Sequence, residues 1–95
     1  MRVEVSQKAR DDLQVIYNYL YDCFGARVAE VKLQGIRKDI DMLGENPFMG
    51  RAFVNNLRLL NSGLSIIVYE VDDRVLEVLH VVDGRSDYAR TLFSK

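Results

Sequence analysis

Arg51, Arg58 and Arg85 are the residues of this 95-residue chain best suited to holding an anion. A guanidinium presents a planar fork that matches a carboxylate or a phosphate. His80 and Tyr88 flank Arg85 in sequence and are able to carry a proton. Each of these residues also has a structural reading. Arg58 and Arg85 have Glu70, Glu77, Asp83 and Asp87 as candidate ion-pair partners. His80 lies between Leu79 and Val81-Val82, inside an apolar run where a histidine is commonly a hydrogen-bonded structural residue. Asp83-Gly84 reads as a turn after that run rather than as a catalytic carboxylate.

Bulk charge narrows the chemistry. Lys plus Arg number 13 and Asp plus Glu 14, with a pI near 5.7, so the basic excess of a general nucleic-acid binder is missing. Nine of the 13 cations are Arg, and no Lys stands between Lys38 and Lys95. The cations of that half therefore act locally, as forks. A single cysteine, Cys23, excludes an internal disulfide and points to a reducing compartment. No CxxC or Cys/His cluster offers metal-ligand spacing, and neither a metal nor a cofactor is expected. The N-terminus has no apolar signal core, and no run approaches the roughly 20 apolar residues of a membrane span. The expected location is the cytoplasm, with no membrane partner.

The elements that must position these residues follow from periodicity. Ser65 to Val71 and Val75 to Val82 are rich in Val, Ile, Leu and Tyr and flank Asp72-Asp73, which is turn chemistry, so they predict a β-hairpin. Leu57 to Leu60 before Asn61-Ser62-Gly63 adds a strand, giving a three-strand antiparallel meander. Arg2 to Val5 alternates and predicts a short strand joining the same sheet.

Between them, Ser6 offers an N-cap, and Ala9, Leu13, Ile16, Leu20 and Phe24 form one stripe on a helix from about Gln7 to Cys23. Asp11 and Asp12 suit the start of that helix, and Tyr17, Tyr19 and Tyr21 flank the stripe as rings at a core edge. Gly25 ends it. Ala29, Leu33, Ile36, Ile40 and Leu43, widened by Val28 and Met42, predict a second helix from about Ala26 to Gly44, antiparallel to the first. Gly35 costs helix propensity, which suggests a close approach by the first helix or the sheet. Pro47 and Gly50 end the helical region in a loop that also carries Phe48 and Met49.

The class is therefore α+β: strand, long antiparallel helical hairpin, three-stranded meander and a short C-terminal tail, in one domain over residues 1–95. In that order, the chain resembles the RelE/ParE family of toxins from type II toxin-antitoxin modules. The likeness covers nearly the whole chain. It is carried by Ala9, Asp12-Leu13 with Ile16 and Tyr19, Leu43 with Pro47 and Gly50, Arg58, Ile67-Val68-Tyr69-Glu70-Val71, and Val82 with Gly84-Arg85 and Asp87.

The resemblance implies a cognate antitoxin as partner and leaves two mechanisms. One branch inhibits DNA gyrase by binding it. Here Phe48, Met49, Arg51, Arg58 and Arg85 would make the target contact, with no catalytic centre. The other branch cuts messenger RNA on the ribosome. That chemistry needs a base, an acid and cations for the phosphorane charge, a set drawn here from Arg51, Arg58, His80, Arg85 and Tyr88. The acidic balance and the lack of lysines on the strands favour the gyrase branch. A third reading is a non-toxic member of the fold.

One expectation concerns the sheet alone. A helix pair covers one face, yet both faces of the hairpin are apolar, so the second face is expected to be an open partner surface. The antitoxin is placed there, near Tyr88, Leu92 and Phe93, with self-association as the alternative use of the same surface.

Overall fold

The computed structural model describes residues 1–83, and the expectations placed on Arg85, Tyr88, Leu92 and Phe93 lie outside the described residues. The chain runs β1 (Arg2–Val5), α1 (Gln7–Phe24), α2 (Ala26–Glu45), β2 (Arg51–Ala52), β3 (Leu57–Ser62), β4 (Ser65–Val71) and β5 (Val75–Asp83). The strands form one sheet in the order β1-β5-β4-β3-β2. β3, β4 and β5 are the antiparallel meander; β1 pairs parallel with β5, from Arg2 opposite Val75 to Val5 opposite Val78. The two-residue β2, paired with Leu59 and Arg58 of β3, was not legible in the sequence.

Ser6 connects the sheet to the helices. Its amide donates to the Val78 carbonyl at 2.9 Å, extending the β1 ladder by one bond. Its hydroxyl accepts from the Ala9 amide and donates to the Leu79 carbonyl, both at 3.0 Å. Leu79 is the extra residue of a β-bulge, since Val68 pairs with His80 and Tyr69 with Val78. One side chain thus caps α1 and satisfies the carbonyl that the bulge displaces. Asp12, two turns on, accepts from the Val81 amide at 3.0 Å. It covers β5 where β1 has ended.

Gly25 joins the helices with φ +91° and its amide on the Tyr21 carbonyl, the left-handed conformation that glycine adopts without a Cβ penalty. Ala9, Ile36, Ile40 and Leu43 pack on Ile67, Tyr69, Leu76, Val78 and Val81 in one core. The predicted stripe holds along α2 and weakens along α1. Leu20 shares a groove with Leu64 and Asp83 at the end of the sheet, and Phe24, one turn further, is exposed. Val28 and Met42 are exposed as well, at the margin of the stripe rather than in the core. Asp11 and Asp12 fall beyond the first turn of α1 and instead meet Gln7 and Lys8 one turn back.

The core residues define the helix-covered face, and the register places Leu59, Val68 and Val82 on the other. Those three are buried too. The expected open apolar surface is therefore not found at the centre of that face, because side chains already out of water offer a partner little further burial. Among the described residues no helix is long and apolar enough to cross a membrane.

Candidate functional site

The loop after α2 is the place where the predicted contact residues meet. Asn46 ends the helix with its amide on the Met42 carbonyl, and the Met49 amide closes a turn on the Asn46 carbonyl, each at 3.0 Å. Two side chains of the sheet then fasten this loop from below. Tyr69, fully buried in the middle of β4, accepts from the Gly50 amide at 3.0 Å and donates to the Pro47 carbonyl at 2.9 Å. Arg58, its direct partner on β3, donates to the Gly50 carbonyl at 2.6 Å and to the Phe48 carbonyl at 3.1 Å. Its guanidinium also lies 5.1 Å from the centre of the Phe48 ring, in cation-π range.

Gly50 is required by that clamp. A Cβ there would fall 2.5 Å from the Leu59 carbonyl oxygen and 2.6 Å from the Tyr69 hydroxyl. The approach, rather than a turn conformation, explains the glycine. Above the clamp, Phe48 is 66% exposed and Met49 40%. An aromatic ring and a thioether are thus displayed in water by a backbone held at Pro47, Phe48 and Gly50. Rigid display of this kind lowers the ordering cost of binding, and exposed aromatics held in place are typical anchors of protein contacts.

The anion-binding candidates do not converge among the described residues. Arg58 pairs with Tyr69, lies on the helix side of the sheet and spends its donors on loop carbonyls rather than on a carboxylate. Its buried Nε has no hydrogen-bond partner among the described residues. Arg51 and His80 belong to the opposite face. They end one cross-strand row, Arg51-Leu59-Val68-His80, and three strand spacings put them about 14 Å apart. Arg51 reaches Asn61 at 3.4 Å, and the His80 Nδ1 lies 3.8 Å from the Asp12 carboxylate. A base and a cation so separated do not act on one phosphate. No group of His, Cys, Asp and Glu among the described residues is placed to hold a metal.

The clamp itself was missed in the sequence. Tyr69 reads there as one apolar strand residue among several, and only its fixed hydroxyl partners distinguish it. A signal existed in Gly50, since a glycine in a loop is one residue that permits a close backbone approach.

Comparison with known proteins bears on the family and the fold. The family model described as the ParE toxin of the type II toxin-antitoxin system parDE matches residues 3–88. The chromosomal ParDE toxin-antitoxin system of P. aeruginosa contains a similar chain, with a TM-score of 0.80 and 23% identity over 87% of this chain and 95% of that one. A chain of the RelBE2 toxin-antitoxin complex of Mycobacterium tuberculosis is similar at a TM-score of 0.66 and 17% identity, over 86% and 95%. None of the curated proteins matches.

Proposed function

The chain belongs to the ParE toxin family of type II toxin-antitoxin systems, and from that premise we propose that it arrests growth by binding DNA gyrase through the loop carrying Phe48 and Met49. The observation that carries the proposal is the clamp. Tyr69 and Arg58 hold the loop backbone from below while the two apolar side chains face water. Arg58 acts as a positioning residue, Phe48 and Met49 as anchors, and Arg51 as a cation at the rim of the contact. Arg85 belongs to the same proposed contact by sequence. A cognate antitoxin neutralises the toxin, with Tyr88, Leu92 and Phe93 as proposed contacts.

The ribonuclease reading is supported less well. It draws on Arg51, Arg58 and Arg85 with His80 or Tyr88 in proton transfer, and among the described residues Arg58 lies across the sheet from Arg51 and His80. The experiment that separates the two readings measures gyrase supercoiling with purified protein and maps transcript ends after induction in cells. Inhibited supercoiling with unchanged transcript ends is expected. New transcript ends with supercoiling untouched would replace the gyrase assignment by RNA cleavage, and no growth arrest at all would mark a non-toxic member of the fold.

A further inference from the structure

Between Glu45 and Glu70 the sequence contains no Asp or Glu, although the chain has 14 of them. That stretch holds the clamped loop, β2, β3 and most of β4, together with Arg51 and Arg58. The proposed contact thus lies in the longest acid-free part of a chain whose net charge is −1.

The backbone is fixed at both ends of β2. Arg51 and Ala52 pair with Leu59 and Arg58, and both are exposed. Gly50, one residue earlier, lies against the Leu59 carbonyl and the Tyr69 hydroxyl. The close approach expected at Gly35 is found here instead, since no described residue of another element lies within 4 Å of a Cβ built at Gly35. After β2 the chain turns back at once. The Phe53 amide donates to the Leu57 carbonyl at 2.9 Å, and the Leu57 amide to the Val54 carbonyl at 3.0 Å. Asn55 takes φ +55°, a left-handed conformation that asparagine tolerates better than most side chains. Val54 is held in this tight turn and is 47% exposed.

Phe48, Met49 and Val54 are therefore three apolar side chains displayed in water at one sheet edge. The six residue steps from Phe48 to Val54 span at most about 20 Å, so one partner surface can meet all three. Arg51 stands between them in the chain. It reaches the amide oxygen of Asn61 at 3.4 Å, a neutral acceptor that leaves the guanidinium charge in place. Glu70 shares its face of the sheet but lies two strands across and two residues along. That separation is about 12 Å, beyond the screening length of about 8 Å at physiological salt.

Charge decides the kind of partner. An exposed cation among apolar anchors, in an acid-free stretch of chain, complements a surface that carries carboxylates around an apolar hollow. A polynucleotide is the poorer fit. A phosphate chain is held by several cations in series, whereas Arg58 donates to the Gly50 and Phe48 carbonyls and the chain as a whole is net negative.

Resting on the gyrase reading, we infer that the face of gyrase that takes this loop is acidic, with a carboxylate for the Arg51 fork between an apolar hollow for Phe48 and Met49 and a second apolar contact for Val54. Arg51 sets the rate of encounter. Val54 adds a second anchor and slows release.

The test follows association and dissociation of the purified toxin on immobilised gyrase at about 0.05 and 0.3 M salt. Arg51→Glu should slow association about tenfold or more at the lower salt, with the gap narrowing at the higher, while Arg51→Lys stays within about threefold of the parent. Arg37→Glu makes the same charge change on α2, beside Tyr17 and Glu30, and should leave association close to the parent's. Val54→Ser removes apolar surface without adding charge and should speed dissociation about fivefold. Circular dichroism checks that each variant is folded. A folded Arg51→Glu variant that associates as fast as the parent, or an equal slowing by Arg37→Glu, would overturn the acidic partner surface. Unchanged dissociation of Val54→Ser would overturn the second anchor. A parent that does not bind gyrase refutes the gyrase reading itself, and if it binds single-stranded RNA with the same dependence on Arg51, the occupant is a polynucleotide and the inference fails.

Discussion

Arg58 holds Phe48 in two ways, with its guanidinium 5.1 Å from the centre of the ring and a hydrogen bond of 3.1 Å to the backbone carbonyl of the same residue. The cation that family resemblance offers as a phosphate ligand is here the support of an exposed aromatic ring. Arg58→Lys tests this. Lysine keeps the charge but not the fork, so stability to urea should fall by about 1 to 2 kcal/mol. Target inhibition should fall with it. A lysine variant with full stability and full inhibition would show that charge alone suffices.

Tyr69 and Gly50 make the second half of the clamp. Tyr69→Phe removes the acceptor of the Gly50 amide and the donor to the Pro47 carbonyl, and should cost about 1 to 3 kcal/mol, because a buried amide is left without a partner. Gly50→Ala should cost about as much through overpacking, since its Cβ has no room beside Leu59 and Tyr69. Denaturant unfolding of both variants checks this. A neutral Gly50→Ala would mean that the loop is free to move away from the sheet.

Asp12 satisfies the Val81 amide beyond the end of β1, so Asp12→Ala should destabilise by about 1 to 2 kcal/mol and Asp12→Asn, which keeps an acceptor oxygen, by less. Hydrogen exchange provides the local reading. The Val81 amide should exchange faster in the alanine variant, and unaltered exchange there would remove Asp12 from the account of β5.

A pH effect follows from the β4–β5 turn. Hydrogen bonds from the Arg74 and Val75 amides hold the Asp72 carboxyl below the usual aspartate range. A carboxyl lowered on folding stabilises the fold above its unfolded pKa of about 3.9, and the contribution is lost as pH falls through the lower folded value. Asp72→Ala should therefore be less stable than the parent at pH 7, with the gap closing in acid. A gap that stays constant to pH 2 would assign the effect to turn geometry rather than to charge.

Much of this architecture was open to inspection before folding. The stripe Ala29, Leu33, Ile36, Ile40 and Leu43 fixes α2 because each residue has a single apolar face to join. Asp72 fixes its turn because its side chain accepts from the Arg74 and Val75 amides that follow it. The clamp was less legible, since periodicity says which way Tyr69 points but not what its hydroxyl meets at 2.9 and 3.0 Å. The role of Arg58 was hidden for the same reason, because charge pairing in sequence suggests carboxylates while the fold supplies carbonyls. Burial of Leu59, Val68 and Val82 ran against the expectation of an open second face, which rested on counting helices rather than on contacts.

The central claim is that Phe48, displayed by Arg58 and Tyr69, anchors the toxin on gyrase, and the direct measurement is inhibition of gyrase supercoiling by Phe48→Ala beside the parent. Phe48 is 66% exposed, so its loss should leave the fold intact by circular dichroism. The account predicts that the parent inhibits and that the variant needs at least about tenfold more protein for the same effect. A parent that does not inhibit supercoiling, or a folded Phe48→Ala variant that inhibits as well as the parent, would contradict it.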